Sequence, residues 1–418
     1  MLKNCLSILG ALTFVAQTTW AAETAKVLPK GIFRARVVGI QTQEFSQKFN
    51  EHGQIENLSA PLNKSLTAKD LAAQNPKLDQ LVQAMNKVQE GSGDKLLNAN
   101  LYGDFSLQVS TILPALEYGV TDELSVGIRI PIVKRTGRAS FRADYTNNAA
   151  SLKNQLGQLS TPELAAGLDQ VGQLQLDTNF FAESVFTKNG YEVPHDFEKT
   201  EAGDLEFGAK YNFYKNAGFF ATALWGARAP TGSNPSLTNI YDKGTGNGAW
   251  ATCVQLFQEY EVNPYLMFGA AEKVTYNFTD TRARAVPKDA NDALPNVKPE
   301  AGQVQDVKRE QGMQLDTELS TTVFMLDKTV NMWGAYQYTE KGADKYSGPG
   351  ELYYEGLGKN SDQVRQAGEL GVGYSTVPAF RRKQFSVPME VQALYNHALS
   401  GKNVPDFSYG RMDLIVYF

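Results

Sequence analysis

Along much of this chain, apolar residues alternate with small or polar ones. In Glu123–Lys134, the residues Leu124, Val126, Ile128, Ile130 and Ile132 fall on one face, with Ser125, Gly127 and Arg129 between them. A period of two is strand geometry, because successive side chains point to opposite sides. Gly31–Ile40 repeats it: Phe33, Ala35 and Val37 share one face, Arg34 and Arg36 the other. Residues 101–112 alternate as well. Beyond residue 200 the runs become regular, at 203–214, 218–229, 248–260, 265–279, 311–326, 330–341, 364–377, 384–398 and 407–418. Their connections alternate between short (215–217, 261–264, 327–329, 379–383) and longer (230–247, 280–310, 342–363, 399–406).

Short–long alternation of turns is the pattern of an up-and-down membrane barrel, and a soluble sandwich has no reason to sort its loops this way. The runs predict an all-β fold: a transmembrane antiparallel up-and-down β-barrel of about twelve strands. An even count puts both ends of the barrel chain on one side. The last run, Phe407–Phe418, has Met412, Leu414, Val416 and Phe418 on one face, with Arg411, Asp413 and Tyr417 on the other. It is expected to close against 31–40, so that no backbone edge faces lipid. Asp413 would then pair with Arg34 or Arg36, and Arg411 would add like charge.

Two stretches break the alternation. In 41–100, Leu78, Leu81, Val82, Met85 and Val88 recur at helical spacing after Pro76, a residue suited to a first helical turn. Thr67–Ala73 also reads as helix. In 136–200, Leu152, Leu156 and Leu159, then Leu164, Leu168 and Val171, predict two short helices, with Thr161 as cap of the second. Both stretches are expected as helical insertions in long external loops, forming a cap or a lumen plug. The apolar stripes are also what helices packing on each other would show.

The start of the chain changes the compartment. Lys3, the apolar run Leu6–Val15 and the small residues Ala21 and Ala22 read as a secretory signal peptide over 1–22, too short to span a membrane. The barrel then occupies 23–418. Without that segment the chain carries 39 basic and 45 acidic residues, a net charge of −6. Nucleic-acid binding, which needs a basic face, is not expected. Cys253 is then the only cysteine, so no internal disulfide is expected.

With the apolar faces turned outward, the lumen is expected to hold Arg34, Arg36, Arg129, Lys210, Arg228 and Arg411 as cations. Its acids would be Asp104, Asp204, Glu206, Glu259, Asp316, Glu318, Glu369, Glu390 and Asp413. These fifteen are the candidate transport-lining residues. Mixed signs with an acidic excess do not make a basic anion track, and ion pairs cross-linking a narrow interior would use the same residue types. Glu272 falls on the outward face, which implies either a bulge or a misplaced strand. Catalytic and metal sites are not expected. The histidines, His52, His195 and His397, are unpaired, and His397 and Ser400 would face opposite ways on a strand. Gly244–Gly248 lacks the lysine of a phosphate loop. No cofactor is implied.

Several segments resemble a group of outer-membrane barrels, the transporters of the meta-pathway of phenol degradation, which is similar to hydrocarbon-uptake channels. They are Tyr118–Gly127, Gly203–Tyr211, Pro230–Ser233 with Gly244–Gly246, and the terminal run. The resemblance implies passive uptake of small hydrophobic or aromatic molecules across a bacterial outer membrane. Its partners would be outer-membrane lipid, the solute and, through the C-terminal strand, the outer-membrane assembly machinery. The alternatives are a structural or surface-interaction barrel with a closed lumen and, as a third reading, an outer-membrane lipase.

Overall fold

The computed structural model describes residues 24–72, 76–157, 161–173 and 177–418; the expected signal peptide and Leu159 lie outside them. Among the described residues, twelve antiparallel strands close a barrel. They are β1 (Phe33–Thr42), β2 (Leu97–Gly119), β3 (Leu124–Arg129), β4 (Leu205–Asn216), β5 (Phe219–Ala229) and β6 (Ala251–Asn263). The circuit continues through β7 (Leu266–Asn277), β8 (Gln314–Met325), β9 (Val330–Lys341), β10 (Gln363–Ser375), β11 (Met389–Lys402) and β12 (Ser408–Tyr417). Closure is as the sequence implies: β12 pairs with β1, Arg34 opposite Tyr417 and Val38 opposite Asp413.

The outer surface is apolar because the period-two faces turn outward. Val37, Leu116, Ile128, Trp225, Val254, Leu319, Met332, Leu370 and Leu414 are all exposed. Aromatic residues gather at both ends: Phe33, Tyr260, Tyr265, Tyr374 and Phe418 near the tight turns, Trp250, Tyr276 and Phe278 near the long loops. Amphipathic rings favour the two membrane–water boundaries. Short turns are periplasmic and long loops extracellular in barrels of this type, which orients the chain. No described helix is long and apolar enough to cross a membrane; the strands cross it.

One expected strand is two. The 123–134 run is interrupted at Ile130–Pro131, where proline has no N–H for the ladder. The chain resumes as strand Ile132–Asn147, paired with the upper half of β2 from Ile112 to Leu97 and flanked by strand Phe197–Ala202. A long hairpin therefore rises above the barrel, and both insertions begin or end in strand rather than in helix.

The helices lean on that hairpin. Helices α1 (Ala68–Ala72), α2 (Pro76–Val88), α3 (Ala149–Leu156), α4 (Pro162–Gly172) and α5 (Thr178–Val185) share one apolar core. Met85, Leu96, Leu156, Leu168 and Phe181 are its largest fully buried side chains. Thr161 caps α4 by accepting from the Leu164 N–H. The helical stripes are thus satisfied by each other and by Leu97, Leu101 and Ala143, and the helices do not plug the lumen. A second core closes the loop end of the barrel itself. Val38, Ile40, Leu113, Leu394 and Tyr409 from the wall meet Phe105 from the protruding half of β2 and Phe45, Leu58, Phe186 and Tyr241 from the loops. Phe105 and Tyr241 stack with centroids 3.9 Å apart.

Candidate functional site

The strand pattern builds a polar interior within the membrane layer. Alternation places Arg34, Arg36, Arg129, Glu206, Lys210, Arg228, Glu259, Asp316, Glu318, Glu369, Glu390, Arg411 and Asp413 on the inward face of their strands. Asp204 sits just before β4 at the loop end. Asp104 is the exception. It lies on β2 above the rim, where the even-numbered positions face away from the core, and it is exposed. The alternation there is clean, but the apolar face of β2 above the rim (Leu101, Phe105, Leu107, Val109) packs inward against the loops, so the even-numbered face that carries Asp104 turns outward, as at Leu116.

Most inward charges are paired across neighbouring strands. Arg129 donates to Glu206 at 2.7 Å, Arg34 reaches Glu117 at 2.5 Å, and Lys273 lies 2.9 Å from Asp316. At the closing seam Asp413 accepts from Arg36 at 2.5 Å and from Arg411 at 2.8 Å. Arg411 therefore shares the seam carboxylate instead of merely adding charge. Glu318 and Glu369 are joined through Gln337, whose amide donates to them at 3.0 and 3.2 Å. Trp333 donates to Glu369 at 3.1 Å, and Arg365 to Asn396 at 2.7 Å. Glu117, Lys273, Gln337, Arg365 and Asn396 were not among the expected lining residues. Alternation could have flagged all five, since each follows the inward parity of its strand.

The β8–β12 half of the interior is thus cross-linked by a network of side-chain bonds. The β1–β5 half holds a cavity whose interior lining includes Arg36, Val38, Leu113, Ala115, Glu117, Ser125, Arg129, Glu206, Lys210 and Leu224. A second cavity, lined by Glu206, Arg228, Thr252, Cys253, Lys273 and Gln314 among others, shares Glu206 with it. Apolar Val38, Leu113 and Leu224 interrupt the charges of the first.

Both mouths are narrowed by the chain itself. At the turn end the segment preceding β1 runs inside the wall from β2 to β6. The Leu28 N–H donates to Ser125 at 2.8 Å, and the Ala25 N–H to Glu259 at 2.9 Å. Thr222 donates to the Ala25 carbonyl and Lys210 to that of Thr24. Ala25 is 0% exposed, packed with Leu224 and Phe257. At the loop end, residues 230–250 fold over the opening. Asp204 holds the N–H groups of Gly232 and Asn247 at 2.9 and 2.8 Å. Arg228 and Asn247 both donate to Asn277, at 2.6 and 2.9 Å.

Glu272 faces outward, opposite Leu256 and Thr317, with no bulge beside it on either ladder. The strand is correctly placed, and the carboxylate lies on the apolar surface. His397 does not meet Ser400; its Nδ1 lies 2.7 Å from Ser408 Oγ on the neighbouring strand. Ser408 is only 6% exposed, so this hydroxyl is not presented to lipid. Among the described residues no group of three or more His, Cys, Asp or Glu is placed to hold a metal ion.

No family model matches the chain, and no curated protein matches it. Solved structures do. An outer-membrane channel from Pseudomonas putida F1 superposes with a TM-score of 0.53 at 12% identity, covering 94% of this chain and 98% of that one. The toluene transporter TbuX of Ralstonia pickettii gives 0.32 at 8% identity over 93% and 89%, too loose to carry an argument. The chain is a bacterial outer-membrane β-barrel, sharing its fold with a channel protein over nearly its whole length.

Proposed function

We propose that this barrel passes small hydrophobic or aromatic molecules passively from outside to the periplasm. One observation carries the reading: the interior splits into a cross-linked polar half and a half that keeps cavities, lined by paired charges and by Val38, Leu113 and Leu224. Paired charges present little net field, and apolar patches between them give a hydrophobic solute somewhere to rest. A hydrophilic pore would instead need an open track of unpaired charge. The residues expected to line transport are proposed in two groups. Arg36, Arg129, Glu206 and Lys210 line the path. Glu318, Glu369, Arg411 and Asp413 hold the wall shut on the other side. Lipid surrounds the barrel, and the C-terminal strand is the proposed contact for assembly machinery.

The test is reconstitution in vesicles. Uptake of a fluorescent aromatic solute should exceed that of a sugar of equal size, relative to protein-free vesicles. Equal, background-level entry of both would sink the channel reading. It would favour the second reading, a closed structural barrel, which the filled loop end and the segment beneath the lumen support.

A further inference from the structure

The hairpin above β7 and β8 carries arginines in an unusual setting. Its strands are Asp280–Ala285 and Val304–Glu310, with Lys345–Ser347 added at the edge. Asp280, Arg282 and Arg284 share one face by alternation, and Arg309 stands opposite Asp280 in register. That face looks toward the loop over the lumen mouth. Arg309 donates to the Asn247 carbonyl, and Arg282 donates to Asn234 Oδ1 at 3.1 Å.

Three guanidinium groups stand beside one carboxylate here, and only two of them engage it. Arg309 Nε takes Asp280 Oδ1 at 2.7 Å, and Arg282 Nε lies 3.7 Å from its other oxygen. The next acid, Asp344, is engaged by Lys341 and by the Gly312 N–H. Arg284 is left with the ring of Tyr346, 5.2 Å from its Cζ. Its Nε and Nη2 are screened from solvent and have no hydrogen-bond partner among the described residues. A buried unpaired guanidinium is costly. Nε and Nη2 form one edge of the group, two parallel donors spaced for the two oxygens of a carboxylate. Fully buried Val307 lies on the paired strand and fully buried Val286 just beyond Ala285, so the charge is backed by apolar packing that keeps water away. Burial, with Arg284 and Arg309 beside it, pulls the Arg282 guanidinium down to about 9, which reports the same excess of cation.

We infer that Arg284, with Arg282 and Arg309 behind it, binds the carboxylate of a small amphipathic organic acid at the extracellular mouth. The ring of Tyr346 would hold the apolar part. This rests on the channel reading and narrows its substrate class to hydrophobic acids.

The test uses the full chain in nanodiscs, with benzoate, benzyl alcohol and inorganic phosphate as separate probes. Benzoate should bind more tightly than benzyl alcohol. R284Q should weaken benzoate about tenfold, the worth of one charge-assisted pair, and leave benzyl alcohol unchanged. R284K should not restore it, since an ammonium lacks the paired edge. R284M should leave the ligand-free protein as stable as the parent or more so, whereas loss of a structural ion pair would destabilise it. Benzoate binding that is unchanged in R284Q, while benzyl alcohol still binds, overturns the site and leaves the channel standing. Phosphate bound as tightly as benzoate overturns the amphipathic-acid assignment. Failure of both aromatic probes to bind the parent protein counts against the channel reading itself.

Discussion

Single residues show where this barrel departs from its own pattern. Glu272 breaks an apolar surface without a bulge to excuse it, between Phe268 and Val274 on the outward face of β7. Replacing it with leucine should stabilise the folded barrel by something on the order of 1 kcal/mol, because acids cost less than bases at mid-membrane depth but still cost. Urea titration in lipid vesicles would show the unfolding midpoint move upward, and a downward move would contradict the assignment of that face to lipid. The β4–β5 turn offers a second case. Ala217 and Gly218 both have positive φ, 46° and 84°. Two such residues make the turn that suits a two-residue hairpin, in which Asn-Gly is preferred to Ala-Gly. Ala217→Asn should therefore stabilise by roughly 0.5–1 kcal/mol, relieving the left-handed cost of alanine. The same vesicle titration reads it.

At the scale of elements, the extracellular cap is pinned by ion pairs that titrate. Asp242, in the loop over the mouth, accepts from Arg135 at 2.7 Å and also from Lys199. Burial alone would raise its carboxyl. The bonds to Lys199 and Arg135 outweigh that and hold it below its ordinary value of 3.8. A depressed acid contributes stability above the unfolded pKa and loses it as pH falls through the folded one. The loop should be fully held at neutral pH and loosen only below about pH 4. Hydrogen exchange of 236–248 against pH checks this; an Asp242→Asn variant should exchange faster at neutral pH and lose the acid-dependent change. The helices are a separate element in the energetic sense. Their stripes were readable from i, i+3 and i+4 spacing, as was the Thr161 cap. Only the fold shows that they are used on the protruding hairpin and not in the lumen. α5, with Phe181 fully buried, gave no comparable periodic signal over its short length.

For the whole molecule, the segment before β1 is the part most able to change conduction. It ties Ala25 to Glu259 and Leu28 to Ser125 beneath the cavity. Deleting residues 24–30 should raise single-channel conductance in planar bilayers while the barrel still inserts, as judged by heat-modifiable migration on a gel. Conductance equal to that of the parent would mean that the narrow point lies elsewhere, with the loop at 230–250 the next candidate. The barrel itself was largely legible beforehand. Strand positions, count, closure of 407–418 on 31–40 and the inward side of most charged residues all follow from a period of two and a need to hide every backbone edge from lipid.

What the sequence by itself determined is the wall, because alternation and turn length are local, and the membrane leaves few ways to satisfy them. What only the tertiary structure decided is the interior and the cap. The pairing of Asp413 with two arginines, the Gln337 bridge, the strand break at Pro131, the exile of Asp104 to the outer surface and the unpaired edge of Arg284 all depend on residues brought together from distant parts of the chain. Inward parity says that a charge faces the lumen; its partner is set by shear, overshoot and loop placement, which no period along one strand records.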